Sequence, residues 1–360
     1  MNTLRLERLQ AHLADAGTDL LVLAPGAHMR WLLGFAPHPD ERLCVLLVSP
    51  TQAGFVMPAL NAQDVRQHVD LPFAEWDDAE GPEQALTSML EQIAPSVRGL
   101  SLDETMRADH ALMLLDRLPD ARRGLAVQDV GALRVIKQAD ELAALADNAR
   151  IADRAQEAVR AALRPGVTEA EMVQVARDAF AAQGARCEFA IVAFGANSAF
   201  PHHHSGNRVL ADGDVVLVDI GGRKGGYVSD ITRMAALGAV AEDYKAVHAV
   251  VDAAVQAALA AIRPGVAAQT IDASARDVIS AAGYGDYFTH RLGHGLGSEV
   301  HEMPYLTASN PQLLTEGMVF TIEPGIYLPG RFGVRLEEVV VVTSEGARLL
   351  SELPRSLHQG

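Results

Sequence analysis

Two aspartates stand where apolar, strand-like sequence makes an ionised carboxylate costly. Asp219 follows Val215-Val216-Leu217-Val218, and Asp230 immediately precedes Ile231, across a glycine-rich connection from Gly221 to Gly226. On paired strands the two charges would repel unless they share a cation or a proton. The hairpin by itself also admits a plainer reading, in which the aspartates end strands or accept turn hydrogen bonds. A second acidic pair weighs against that. Gly213 opens the run that reaches Asp219 six residues later, and Gly317 opens a run that reaches Glu323 six residues later. Asp230 then follows Asp219 by 11 residues, and Glu337, in RLEEVVVV, follows Glu323 by 14. Four buried carboxylates without cations make an implausible core.

Histidines extend the set. His290, His294 and His301 fall in the glycine-rich run HRLGHGLGSEVHE, where backbone can approach a ligand closely. A neutral imidazole added to four carboxylates is an oxygen-rich, one-nitrogen donor set. It suits two hard or borderline divalent ions such as Mn²⁺ or Co²⁺ better than a sulfur-rich structural zinc, with catalytic Zn²⁺ a further option. His301-Glu302-Met303-Pro304 is not the HExxH helix motif, and Pro304 argues against a helix there. Pro201-His202-His203-His204 is a loop able to bind metal adventitiously, so its three histidines need not all be functional.

The elements that must position these residues repeat. Arg164-Pro165-Gly166-Val167 recurs as Arg263-Pro264-Gly265-Val266, an offset of 99, and Gly184 recurs as Gly283. Each copy reads as helix, turn, helix and terminal glycine. The first copy carries a capping box from Thr168 to Glu171. Two half-domains, each with two helices and a carboxylate-bearing hairpin, are expected to face one another about a pseudo-twofold axis. A long helix from Ile136 to Leu163 opens this region.

Ahead of it, residues 1–130 alternate helical and strand-like stretches. Helices are expected at Leu4–Ala16, Ala59–Val69, Pro82–Ile93 and Arg107–Leu118. Strands are expected at Leu20–Leu23, Leu43–Val48, Gly54–Met57, Arg98–Leu102 and Ala126–Asp129, with PGAHMRWLLGFAPHPDER as a loop. That is an α/β domain. It contains no phosphate loop and no nucleophile elbow, so support and substrate shaping are its expected roles.

Composition narrows the class. The 360 residues carry a formal net charge of −16, which argues against nucleic-acid or anionic-membrane partners. The opening MNTLRLERLQAHLADAG lacks the apolar centre of a secretory signal, and no apolar run approaches a membrane span. Cys44 and Cys187 form no CxxC pair, so a reducing cytoplasm fits best.

The series PHHHSGNRVLADGDVVLVDIGG, GYVSDITR, GHGLGSEVHE, GMVFTIEPGIY and GVRLEEVVVV resembles the pita-bread metallopeptidases, in the branch of Xaa-Pro dipeptidases (prolidases) and aminopeptidase P. The likeness covers roughly residues 136–350, and the preceding α/β domain resembles that branch's N-terminal domain. It implies an α/β N-terminal domain over 1–130 and an α+β pita-bread catalytic domain over 131–360. It implies Asp219, Asp230, His294, Glu323 and Glu337 as ligands of two divalent metal ions, with Asp230 and Glu337 bridging. Glu323 would also carry the proton. His202, 17 residues before Asp219, and His301 would position the carbonyl and stabilise the tetrahedral intermediate, and Arg335 would support the site. His203 and His204 depart from the small or apolar residues usual after PH. A dipeptidase must also recognise the free proline carboxylate. Arg335 is a candidate, as are His38 or Arg42 in a loop that family dimers place over the neighbour's site; His204 and Tyr227 are further substrate-binding candidates. The expected reaction is hydrolysis of the bond before proline in Xaa-Pro dipeptides by a homodimer. Aminopeptidase P activity on longer peptides is the nearest alternative. A catalytically dead interaction protein of the same fold ranks lower, because all five ligands are present.

Overall fold

A computed structural model describes residues 3–360 of the chain. It divides into two compact units, Met1–Arg134 and Val135–Gly360. In the first, helices α1 (Thr3–Ala16), α2 (Ala27–Leu33), α3 (Ala59–Arg66), α4 (Glu83–Ile93), α5 (Ala108–Arg117) and α6 (Ala126–Arg134) surround six strands. These are β1 (Leu20–Leu23), β2 (Val45–Val48), β3 (Ala53–Pro58), β4 (Phe73–Trp76), β5 (Gly99–Leu102) and β6 (Arg122–Leu125), in the order β4-β3-β2-β1-β5-β6. The sheet is mixed: β1, β5 and β6 run parallel, while β2 is antiparallel to both β1 and β3. Strands β1 and β2 are buried on both faces, which is why they read as unbroken apolar runs.

Two expectations fail here. The stretch from Ala126 is helix α6, not strand: Ala126 and Val130 bury at helical spacing, and the strand lies just before it in the polar run RRGL of β6. The loop after β1 contains helix α2, whose Met29, Trp31 and Leu32 enter the core and which Gly34 ends in the left-handed conformation, φ 87°. Within this unit His28, Asp103 and Glu104 are close enough to invite a metal. Arg134 donates to His28 Nδ1 at 2.9 Å, which leaves the proton of a neutral ring on Nε2, 2.9 Å from Glu104 Oε1. No ring lone pair then remains for an ion, and His28 acts as a hydrogen-bond strut between Arg134 and Glu104.

The second unit opens with α7 (Ala139–Ala162) and α8 (Glu169–Ala182), then β7 (Arg186–Phe194), β8 (Val215–Lys224), β9 (Tyr227–Val228) and β10 (Ile231–Ala236). The same plan follows with α9 (Glu242–Ala261), α10 (Ala268–Ala281), β11 (Gly293–Gly295), β12 (Glu302–Leu306), β13 (Val319–Ile322), β14 (Gly325–Leu328), β15 (Phe332–Arg335), β16 (Glu338–Thr343), β17 (Gly346–Leu349) and β18 (His358–Gln359). One sheet has the order β18-β10-β8-β7 with β9 on β8; the other runs β12-β11-β13-β16-β17; β14 and β15 form a separate ladder.

The repeat is visible bond by bond. Gly166 N donates to the Leu210 carbonyl at 3.1 Å, and Gly265 N donates to that of Leu314 at 2.8 Å. Both glycines hold positive φ, 92° and 84°, as the matching RPGV turns require. Only the first copy has its capping box: Thr168 Oγ1 accepts from Glu171 N at 3.2 Å, and Ala267 occupies the equivalent place in the second. Among the described residues, no helix is long and apolar enough to cross a membrane.

Gly221 and Gly222 are not turn residues as expected but part of β8, and the reversal falls at Gly225 and Gly226, with φ 63° and 87°. A side chain at Gly221 would meet Phe189 Cε1 at 2.2 Å, and one at Gly222 would meet Phe180 at 2.4 Å. The glycines let two aromatic rings approach the strand closely.

Candidate active site

Sheet register brings the acids together. Asp219 on β8 pairs with Thr232 on β10 and with Ile191 on β7, while Asp230 sits just ahead of β10. In the other half Glu323 follows β13 and Glu337 lies between β15 and β16. The halves are stitched at this point: Glu337 N donates to the Thr232 carbonyl at 3.2 Å, and Thr232 Oγ1 donates to Glu337 Oε2 at 2.8 Å. His294, central in the short strand β11, completes the group. Ligating atoms of Asp230, His294 and Glu337 lie within 4.8 Å of one another. Asp219, Asp230, His294 and Glu337 are all buried, and Glu323 is the least enclosed, its side chain 15% exposed.

Arg335 is the cation tied to these acids. Its guanidinium donates to Asp219 Oδ2 at 2.6 Å, Tyr327 Oη at 2.8 Å, Thr232 Oγ1 at 3.1 Å and the Pro201 carbonyl at 3.3 Å. One guanidinium cannot balance four carboxylates in a buried site. Burial, followed by Glu337, Asp219 and Glu323, pushes the Asp230 carboxyl well above its usual range. Burial, Glu323 and Asp219 do the same to Glu337, and burial raises Asp219 despite Arg335. Glu323 goes the other way. Burial opposes its charge, but His294, His290 and Arg335 outweigh it and hold the carboxyl at about 2.

Two features fit cations. Asp219 Oδ1 is buried without a hydrogen-bond partner. His294 Nδ1 faces the Gly295 carbonyl at 3.1 Å, while Nε2 faces Glu323 Oε1 at 3.2 Å and Asp230 Oδ2 at 3.8 Å. With Nδ1 donating to the backbone, Nε2 is the nitrogen turned to both carboxylates, and a divalent ion bound there would take over the positive contact that favours the ionised Glu323. The donor types, four carboxylates and one imidazole, match hard or borderline divalent ions.

The group opens into a cavity of about 1000 Å³. His202, His204, His290 and His301 line it beside the acids, and Val173, Phe189, Ile191 and Val300 give it an apolar wall. The ring of His301 stands edge-on to that of His294, centroids 4.2 Å apart. Burial, with His294 and Arg291 nearby, lowers its pKa to about 4, so it is neutral at pH 7. One sequence candidate of this unit stands outside the cavity lining. Tyr227 does not line the cavity and donates to Glu141 Oε1 at 3.0 Å. His38 and Arg42 belong to the first unit, where His38 is exposed and Arg42 forks onto Asp78 at 2.8 and 2.9 Å. Two participants were not singled out in the sequence. Tyr327 joins Arg335 to His290 Nε2, which is 2.9 Å from its hydroxyl, and Thr321 Oγ1 donates to Glu323 Oε1 at 3.1 Å. Their place in GIY and FTIE was the available signal.

His203 has a position of its own. Its Nε2 lies 2.8 Å from Glu169 Oε2, and the fully buried Glu169 also accepts from Phe194 N, Asn197 Nδ2 and Gly206 N. These bonds hold the Glu169 carboxyl below its usual range against the burial that would raise it. His203 therefore ties the loop carrying His202 to the start of α8. His203→Ala should cost about 1–3 kcal/mol, since Glu169 loses a partner while buried; His204→Ala, on an exposed side chain, should cost under about 0.5 kcal/mol. Thermal melts of the two variants separate a strut from an ornament.

Comparison with known proteins agrees with this geometry. The model of metallopeptidase family M24 matches residues 143–344, and that of the creatinase/prolidase N-terminal domain matches residues 5–140. The chain is 39% identical to a probable dipeptidase PepE of Mycobacterium tuberculosis, over 98% of this chain and 95% of that protein. It is 32% identical to an Xaa-Pro dipeptidase of Lactobacillus helveticus, covering 98% of each. The crystal structure of a prolidase from Thermococcus sibiricus superposes with a TM-score of 0.94 at 34% identity, covering 100% of this chain and 99% of that one. With the motif order, the doubled fold and the converging acids accounted for together, the chain belongs to metallopeptidase family M24, carrying that family's catalytic domain behind a creatinase/prolidase N-terminal domain.

Proposed function

We propose that this protein is a dinuclear Xaa-Pro dipeptidase that cleaves the peptide bond before proline. Asp219, Asp230, His294, Glu323 and Glu337 hold the two divalent ions, Mn²⁺ or Co²⁺ by their donor set. The observation that carries this is the convergence of four acids and one imidazole with a partnerless buried oxygen on Asp219. Family membership and relatives named as dipeptidases support it. The net charge, the two free cysteines and the resemblance favour a cytoplasmic homodimer without nucleic-acid or membrane partners.

When bound, a pair of divalent ions supplies Lewis acidity, acidifying water and polarising the scissile carbonyl. The chain's own groups do the rest. Glu323, kept ionised, takes the proton of the attacking water and returns it to the proline nitrogen as the C–N bond breaks. His202 and neutral His301 line the cavity where negative charge grows on the carbonyl oxygen and donate N–H to it. Arg335 and Thr232 orient Asp219 and Glu337. The apolar wall receives the side chain and the proline ring, which lacks the N–H that extended-backbone readers need.

A cavity this large also has room for longer peptides, so substrate length is the deciding measurement. Ion-loaded enzyme should cleave Xaa-Pro dipeptides at least tenfold more efficiently, in kcat/KM, than Xaa-Pro-Xaa tripeptides. Hydrolysis of the tripeptides alone would make it an aminopeptidase P.

A further inference from the structure

We propose that Arg291, over the Tyr305 ring at the cavity wall, binds the free carboxylate of the C-terminal proline and so sets the dipeptide specificity. This rests on the Xaa-Pro dipeptidase reading and names the group that would enforce it. A carboxylate leaving water needs a cation with spare donors, and the cavity wall offers three arginines: Arg177, Arg291 and Arg335. Arg335 is buried, and its donors are spent on Asp219, Tyr327, Thr232 and a backbone carbonyl. It is withdrawn from the carboxylate role that the sequence left open to it. Arg177 is exposed on α8, where water competes for any ligand.

Arg291 differs from both. It is half-buried, and its guanidinium makes no hydrogen bond or ion pair among the described residues. Its Cζ stands 4.6 Å from the centroid of the Tyr305 ring. The contact with the ring face steadies the guanidinium while leaving its N–H groups available to a planar carboxylate. The flanking segments fix its place. His290 Nδ1 lies 2.7 Å from the Arg291 carbonyl, and Leu292 N donates to the buried Asp272 at 3.1 Å. Arg291 also lies close enough to His301 for its charge to be felt there, on the wall where the carbonyl oxygen is expected. A peptide extended beyond proline would bring a neutral amide to this cation instead of an anion.

The experiment compares Ala-Pro with Ala-Pro-amide on ion-loaded wild type, Arg291→Met and Arg291→Lys. Wild type should prefer the free acid by tenfold or more in kcat/KM. In Arg291→Met that preference should fall to within threefold, mostly through KM, and calorimetric binding of L-proline should weaken at least tenfold. Arg291→Lys, which keeps the charge but loses the fork and stack, should fall between. Unaltered acid preference in both variants, or equal losses on acid and amide, overturns the assignment while leaving the dipeptidase reading intact. Wild type that cleaves tripeptides but not Ala-Pro overturns both. Melting curves check folding, and if Arg291→Met does not fold, the ratio for Arg291→Lys decides.

Discussion

Replacing Glu323 with Gln is expected to lower Xaa-Pro hydrolysis by about 10³-fold or more while leaving the protein folded. A positioned general base contributes about 10²–10⁴ by itself, and here the same side chain is also one of the proposed ligands. The choice of Glu323 among the four acids follows the motif resemblance. In the ion-free site His294, His290 and Arg335 keep it ionised, whereas Asp219, Asp230 and Glu337 are pushed upward. It is also the acid whose side chain is 15% exposed, so it can meet water. Gln preserves shape and can still accept from Thr321 Oγ1. Ion-free stability should drop somewhat, because His294, His290 and Arg335 favour the ionised Glu323, but the retained shape and the Thr321 contact should keep the chain folded. Measured kcat/KM within tenfold of wild type would exclude Glu323 as the proton carrier.

Chelating the divalent ions should abolish activity and expose a characteristic pH dependence of stability. Asp230 and Glu337 have folded-state values well above the ordinary carboxylate range. Above that range the unfolded chain has released protons that the ion-free native state still holds, so unfolding becomes easier as pH rises. The sign is opposite to that of a salt-bridged carboxylate. His290 and His301 oppose the trend below about pH 6.5, because both are lowered by burial in the folded state. The comparison that cancels them is ion-free wild type against ion-free Glu337→Gln. From pH 4.5 upward, wild type should lose stability relative to the variant by about 1.4 kcal/mol per pH unit for each proton retained, or about 3–6 °C in Tm. Saturating Mn²⁺ should abolish the difference in slope for wild type. Parallel curves for the two ion-free proteins would mean that Glu337 is not buried among like charges, and the metal reading would lose its electrostatic basis.

The catalytic half was legible because its demands are local and doubled. A carboxylate inside an apolar strand is expensive wherever the strand lies, and finding it twice at similar spacing after a repeated RPGV turn already implied two halves meeting at a seam. The helix pairs around those turns and the Thr168–Glu171 box are found as read. Periodicity failed where burial was one-sided or absent. Strand β6 is polar and largely exposed, so no apolar pattern marks it, and the buried face of α6 resembles a strand in sequence. Helix α2 was hidden in a loop-like run because it is only seven residues long. Gly221 and Gly222 looked like a turn because glycine signals turns more often than it signals an aromatic ring pressed on a strand.

By itself the sequence determined which residues would be costly to bury without an ion, and that they came from two related halves. Partnership among side chains was decided only by the tertiary structure. Arg335 and Arg291 are the same residue type beside the same cavity, yet one is saturated by Asp219 and Tyr327 while the other keeps its donors above Tyr305. His202, His203 and His204 are consecutive and all line the cavity, yet only His203 is tied to the buried Glu169. The cost of an unpaired charge can be read one residue at a time, but which charge is already paired depends on contacts between segments, 116 residues apart for Arg335 and Asp219.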